Sequence, residues 1–200
     1  MDGTVFDRSG LLGQQKDDRS DRFLNLLLTV VLIFLCFVFF VKFVWFEPVL
    51  VDGSSMNKTI SNGDVLIMDK LSSYGYGDIV ILKIDDKTNY VKRIIGLPGD
   101  TIRNDAEGKV YRISRDGAET LLDEPYAYFD PLFGNGTFLN ETGRFSVTLA
   151  DDEIFVMGDN RYHSKDSRSI GPLKQSSVLG VVHPWVVEYR YKLGWLYYYL

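Results

Sequence analysis

The sequence predicts a mainly β protein: one N-terminal transmembrane helix followed by an all-β domain with a small inserted loop or subdomain. Three observations predict it. A single long apolar run, FLNLLLTVVLIFLCFVFFVKFVWF, occupies residues 23–46. After Pro48 the apolar residues fall into short β-prone runs set off by Gly-Asp steps, as in NGDVLIMDK, YGDIVILKI and LPGDTIR. Gly supplies turn dihedrals and Asp bonds to nearby backbone, so such steps separate strands. Beyond residue 50 no long stretch reads with helical period. At 200 residues the chain accommodates one modest domain plus an anchor.

In chain order, residues 1–22 form a polar N-terminal segment carrying Arg8, Lys16, Arg19 and Arg22, whereas the far side of the apolar run offers Lys42 and then Lys58. The positive-inside rule therefore places residues 1–22 in the cytoplasm and residues 47–200 outside the cell membrane. The 23–46 run meets the length of about 20 apolar residues needed to span a bilayer. It is too long for a cleavable leader and no small-x-small site follows it, so it is expected to remain as an anchor. Lys42 can snorkel to the headgroups and Trp45 suits an interface. Cys36, the only cysteine, lies within the run and reads as a small hydrophobe; it leaves no intrachain disulfide and no Cys-based metal site. A net charge of -5 argues against a nucleic-acid partner. No metal or other cofactor is expected.

Within residues 47–200, further strands are expected over Asn89–Ile95, Lys109–Ser114, Arg144–Leu149, Glu153–Met157 and Val178–Tyr189. Residues 115–143, richer in Gly, Asp and Glu around FDPLFGNGTF, read as an insertion between core strands. Trp185, Trp195 and the final WLYYYL suit lipid headgroups, with core packing an equal reading for Trp185.

Just after the apolar run, VDGSSMNKTI presents Ser54 and Ser55 in a polar turn. A serine nucleophile needs a base, and the chain has only His163 and His183. His183, in VVHPWVV, reads as a structural or edge residue, and nothing in the spacing of His163 within GDNRYHSKDSR favours it. A lysine serves instead when burial strips its ammonium of water, which lowers the pKa by up to about 3–5 units. Lys92 lies in NYVKRIIGLPG. Strand alternation puts it on one face with Tyr90 and Ile94, and Val91, Arg93 and Ile95 on the other. For such a pair a solvated Lys92 beside a paired Arg93 is the commoner outcome. The segment MGDNRYHSKDSR carries Asp159, Arg161, Asp166 and Arg168. Solvation is its ordinary fate, yet alternating charges can build a rigid loop that holds Ser164 or Ser167 against a lysine amine.

Three stretches together resemble the bacterial type I signal peptidases, membrane-anchored Ser/Lys endopeptidases, in their compact Gram-positive-like form. They are Gly53-Ser54-Ser55-Met56, the strand Lys92-Arg93 leading into Gly96-Leu97-Pro98-Gly99-Asp100, and Gly158-Asp159-Asn160-Arg161 with Ser164-Lys165-Asp166-Ser167-Arg168. The resemblance implies cleavage of signal peptides from exported preproteins, with Ser55 as nucleophile and Lys92 as general base. It implies that Ser164 orients the lysine amine, that Asp166 and Arg168 pair near the site, and that Asp159 supports the same loop. The Ser55 N–H would serve the oxyanion, and Gly53, Ser54, Met56, Tyr90 and Val91 would line the substrate site. One departure stands out: the family continues Ser-Met-x-Pro-Thr-Leu, whereas Lys58 occupies the proline position here, a charge that would help depress the Lys92 pKa. Two other readings compete. The self-cleaving repressors share the Ser/Lys chemistry, but the span and the lack of a DNA-binding unit argue against them. A non-catalytic, membrane-anchored β-domain that binds exported chains is the alternative of a different class.

Overall fold

A computed structural model describes residues 9–84, 88–129 and 144–199. The chain divides into two compact units, Met1–Trp45 and Phe46–Leu200. The first is helix α1 (Ser9–Phe40) closed by a π-helical turn over Val41–Trp45. An 18-residue window within Arg19–Phe40 has a mean hydropathy of 2.9, and the whole stretch contains neither Gly nor Pro. A helix satisfies its backbone internally, and the hydroxyl of Thr29 is satisfied as well, donating to the Asn25 carbonyl at 2.8 Å. Phe23, Leu32, Ile33 and Phe34 are all exposed along this stretch.

Among the described residues the second unit holds eleven strands in chain order: β1 (Phe46–Leu50), β2 (Val65–Asp69), β3 (Ile79–Lys83), β4 (Asn89–Gly96), β5 (Thr101–Asn104), β6 (Val110–Ile113), β7 (Glu119–Leu121), β8 (Ser146–Thr148), β9 (Glu153–Met157), β10 (Leu173–Lys174) and β11 (Val178–Val182). They form a seven-stranded sheet ordered β1-β2-β11-β3-β4-β9-β10 and a four-stranded sheet ordered β7-β6-β5-β8. The smaller sheet occupies the chain between β4 and β9. Part of the stretch 115–143 supplies β7; residues 130–143 lie outside the described residues.

The run Ile79–Leu82 is apolar at every position because both faces of β3 are covered. Val80 and Leu82 pack with Ile94, Ile154, Val156 and Val181. On the other face Ile79 and Ile81 join Met56, Ile60, Leu66, Met68, Val182 and Val186. A third cluster of Ile95, Ile102, Val110, Leu149, Phe155 and Met157 draws on strands of both sheets.

The strand expected over Val178–Tyr189 stops at Val182, and Pro184 opens helix α3 (Pro184–Tyr199). The domain is therefore mainly β rather than all-β. Val, Tyr and Trp favour strands, but proline at the first helical position needs no N–H partner there and presets φ. The burial of Val186 in the core then fixes the helix against the sheet.

Candidate active site

The loop Val51–Asp64 joins β1 to β2 and is closed at its base. Val51 N–H donates to the Asp64 carbonyl at 2.9 Å, and Gly63 N–H to the Val51 carbonyl at 2.9 Å. Gly53 has φ 114°, a conformation side chains rarely tolerate, and its N–H donates to Asn62 Oδ1 at 2.8 Å. The chain turns sharply there to present Ser54 and Ser55. Asn57 N–H donates to the Ser54 carbonyl at 3.1 Å, and the next residues are pinned because Met56 and Ile60 are buried in the core.

Lys92 projects from β4 toward this turn. Its Nζ lies 2.7 Å from Ser55 Oγ and 2.9 Å from the Val91 carbonyl oxygen, with the Tyr90 ring 5.1 Å away. The residue is only 3% exposed, so the solvated reading of Lys92 does not hold. Burial is the main force lowering its pKa. The Asp166 carboxylate raises it in part, Arg168 lowers it further and Asp159 raises it, leaving it at about 8. The cation that disfavours protonation is thus Arg168. Lys58 instead stands over the Tyr128 ring, 4.4 Å from its centre.

The loop after β9 encloses this pair. Asp159, fully buried, accepts Arg93 Nε at 2.9 Å, Arg93 Nη2 at 2.6 Å and Thr59 Oγ1 at 2.6 Å. Lys92 and Arg93 are therefore both withdrawn from water, one on each face of β4. Asp166 accepts the Gly158 N–H at 2.9 Å and both Nε and Nη2 of Arg168 at 2.9 Å. Burial pushes the Asp166 carboxyl up, but Arg168 and the Gly158 N–H more than offset it, so its pKa stays below the ordinary carboxylate value. Ser164 Oγ is buried without a well-formed hydrogen bond, and the amine of Lys92 bonds Ser55 and Val91 rather than Ser164. A Cβ on residue 158 would collide with Ser164 Oγ and the Ser55 carbonyl, so only glycine lets these two segments touch.

Several further residues complete the site, although the sequence assigned them no individual role. Asn160 clamps the Ser54–Ser55 turn: its N–H donates to the Ser55 carbonyl at 3.0 Å and its Nδ2 to the Ser54 carbonyl at 3.1 Å. Arg161 pairs with Glu124 through both terminal nitrogens, at 2.9 and 2.6 Å. The Arg93 guanidinium lies 3.9 Å above the Tyr126 ring. Tyr128 N–H donates to the Asp159 carbonyl at 2.7 Å, and Arg161 N–H returns a bond to the Tyr128 carbonyl at 3.0 Å. The motif around Asn160 was a signal for that residue. Glu124 and Tyr126 had none, because their partners are distant in sequence.

A cleft of about 360 Å³ opens beside Ser55. Val49–Gly53 and Met56 line one side, and Ile81 and Thr88–Lys92 the other. Among the described residues β1 pairs only with β2. β4 pairs with β3 from Asn89 onward, but meets β9 only from Arg93. Each wall therefore presents a strand edge without a neighbouring strand among the described residues. Neither histidine lines this cleft; His183 Nε2 lies 2.9 Å from Asp69 Oδ2, a structural contact. The site can lower the barrier to acyl transfer, having a hydroxyl, an amine of depressed pKa and an extended groove together.

A model of the family described as signal peptidase, peptidase S26, matches residues 24–186. Signal peptidase I P of Bacillus subtilis subsp. natto is 38% identical over 143 residues, covering 68% of this chain and 74% of that protein. Signal peptidase I of Bacillus caldolyticus is 37% identical over 163 residues, covering 73% of this chain and 79% of that one. A crystal structure of a signal peptidase I from Enterococcus faecalis aligns with 56% of this chain and 98% of its own, at 27% identity and a TM-score of 0.44. With the family match running through most of its length, the chain belongs to the signal peptidase family, peptidase S26, and has the signal peptidase I activity of a serine protease.

Proposed function

We propose that Ser55 and Lys92 form the catalytic dyad with which the chain cleaves signal peptides from exported preproteins at the outer face of the cell membrane. The observation that carries this reading is the buried Lys92 amine 2.7 Å from Ser55 Oγ. Neutral Lys92 takes the hydroxyl proton as Oγ attacks the scissile carbonyl carbon. The Ser55 N–H, which donates to no protein group among the described residues, stabilises the oxyanion, a contribution of about 3–4 kcal/mol for each such donor. Gly53 has no hydroxyl, so a second donor would come from backbone. The tetrahedral species collapses with breakage of the C–N bond, and the Lys92 ammonium gives its proton to the departing amine. Lys92, neutral again, removes a proton from water, which attacks the Ser55 ester; the C–Oγ bond breaks, the Lys92 ammonium returns its proton to Oγ, and the signal peptide leaves. This route needs no metal or other cofactor. Asp159, Asp166 and Arg168 keep the enclosing loop in register, and Ser164 packs against Gly158 behind the nucleophile.

The substrate would lie extended between the two strand edges, adding main-chain hydrogen bonds to both. Gly53, Ser54, Met56, Tyr90 and Val91 would shape the positions nearest the cut, where small side chains fit. Residues 23–46 cross the bilayer, with residues 1–22 cytoplasmic and 47–200 outside, the stretch 115–143 being an insertion in the outer domain. The exposed apolar surface of Arg19–Phe40 supports a lipid partner, and the net charge of -5 disfavours nucleic acid. Ser55→Ala and Lys92→Ala, each assayed for preprotein cleavage in lipid vesicles, should both fall to background. Undiminished cleavage by either variant overturns the dyad.

A further inference from the structure

The nucleophile loop is held from two directions. From one side Asn160 and Asp159 grip it through the Ser54 and Ser55 carbonyls and Thr59. From the other side helix α3 reaches it. Arg190 Nε donates to Asp64 Oδ2 at 2.9 Å, and the same oxygen accepts the Ser61 N–H at 2.8 Å. The Asp64 carbonyl is the acceptor that closes the loop onto Val51. The pair is largely withdrawn from water, with side chains 16% and 8% exposed. Arg190 is itself fixed, since Nη1 donates to the Val187 carbonyl and Nη2 to Tyr191 Oη. One helical turn earlier, Val186 enters the cluster that takes in Met56 and Ile60. A charge-assisted bond and an apolar plug thus act on the same loop.

We propose that Arg190 is a positioning residue for the peptidase reaction, holding the loop through Asp64 so that Ser55 Oγ stays within reach of the Lys92 amine. Arg190 lies in helix α3, beyond residue 186 where the family match ends. The proposal rests on the reading of Ser55 as nucleophile. A loop secured on one side only lets Oγ drift, and misplacement of a reacting atom by about 1 Å can cost on the order of 100-fold in rate. Substrate contacts along β1 and β4 do not pass through Asp64, so binding should be spared.

The test measures kcat and KM of the full-length chain in detergent micelles, with a synthetic peptide spanning a signal-peptide junction. Asp64→Asn keeps an acceptor for Ser61 but loses the charge that Arg190 meets; Arg190→Gln removes the other partner. Each should lower kcat about tenfold with KM nearly unchanged. The double variant should be no slower than the slower single, and Arg190→Lys should recover part of the loss. Singles with wild-type kcat, losses that multiply in the double variant, or a rise in KM alone would overturn the latch. Should Arg190→Gln fail to fold, Asp64→Asn and Arg190→Lys decide the matter by the same split. Ser55→Ala is run in parallel. If it still cleaves, the nucleophile reading falls and the latch falls with it; if it is inactive while the Arg190 and Asp64 variants are unimpaired, only the latch falls.

Discussion

At the scale of single residues, Lys92, the general base on the proposed reading, bears on both rate and stability. With its pKa held at about 8, kcat/KM should climb about tenfold per pH unit on the acid side and level off above pH 8. A pH–rate profile flat from pH 6 to 9 would rule out this base. The same depression affects stability with a definite sign. Below pH 8 both folded and unfolded chains hold the proton, and the full penalty of burying the ammonium is present. Between about pH 8 and 10.5 the unfolded chain still holds it while the folded chain does not, so the unfolding free energy rises with pH. Lys92→Met should therefore abolish cleavage yet stabilise the domain at pH 7 by about 2 kcal/mol, a denaturant-melt measurement. Gly158→Ala should do the opposite to the fold. Its methyl group forces the Ser164 segment away from the Ser55 carbonyl, lowering both the melting temperature and kcat.

At the scale of elements, the loop after β9 stays in place because a segment leading out of the smaller sheet clamps it. Arg161 is fully buried and Glu124 only 10% exposed. Glu124→Gln keeps the shape but strands the guanidinium, and removing one partner of a buried pair costs about 3–5 kcal/mol. The expected result is a matching loss in a urea melt, together with reduced activity. Elements were legible in the sequence where one signal dominated. The runs that became β3, β4 and β9 carry continuous or alternating apolar residues bounded by turns. The run from Val178 to Tyr189 carried two signals, β-branched residues and an internal proline, and the proline prevailed at residue 184. The Asp166–Arg168 pair, which the family resemblance implied, joins residues only two apart. The Thr59–Asp159 bond joins residues 100 apart, and the Asn160–Ser54 bond residues 106 apart, so no local pattern announces either.

At the scale of the whole molecule, the two units have separable tasks on the proposed reading: residues 19–40 fix where the enzyme works and residues 46–200 carry the chemistry. Replacing Arg19–Phe40 by an unrelated apolar helix of equal length should leave kcat on a micellar peptide within about twofold and should retain membrane localisation in a fractionation assay. A large loss of kcat would show that the span does more than anchor. The general plan, a span followed by a β domain, could be read from hydropathy and turn chemistry because both act over short windows. The cleft could not, because it arises where strands far apart in sequence stop short of a neighbour. That stopping short has a consequence for which leaders the enzyme can accept. On the proposed reading, strand edges answer to the main chain, a grammar common to all polypeptides, rather than to spelling, which would suit one protease to many unrelated clients. The same trait makes it vulnerable: a peptide of suitable spelling whose amides are methylated at alternate positions should enter the groove poorly and escape cutting.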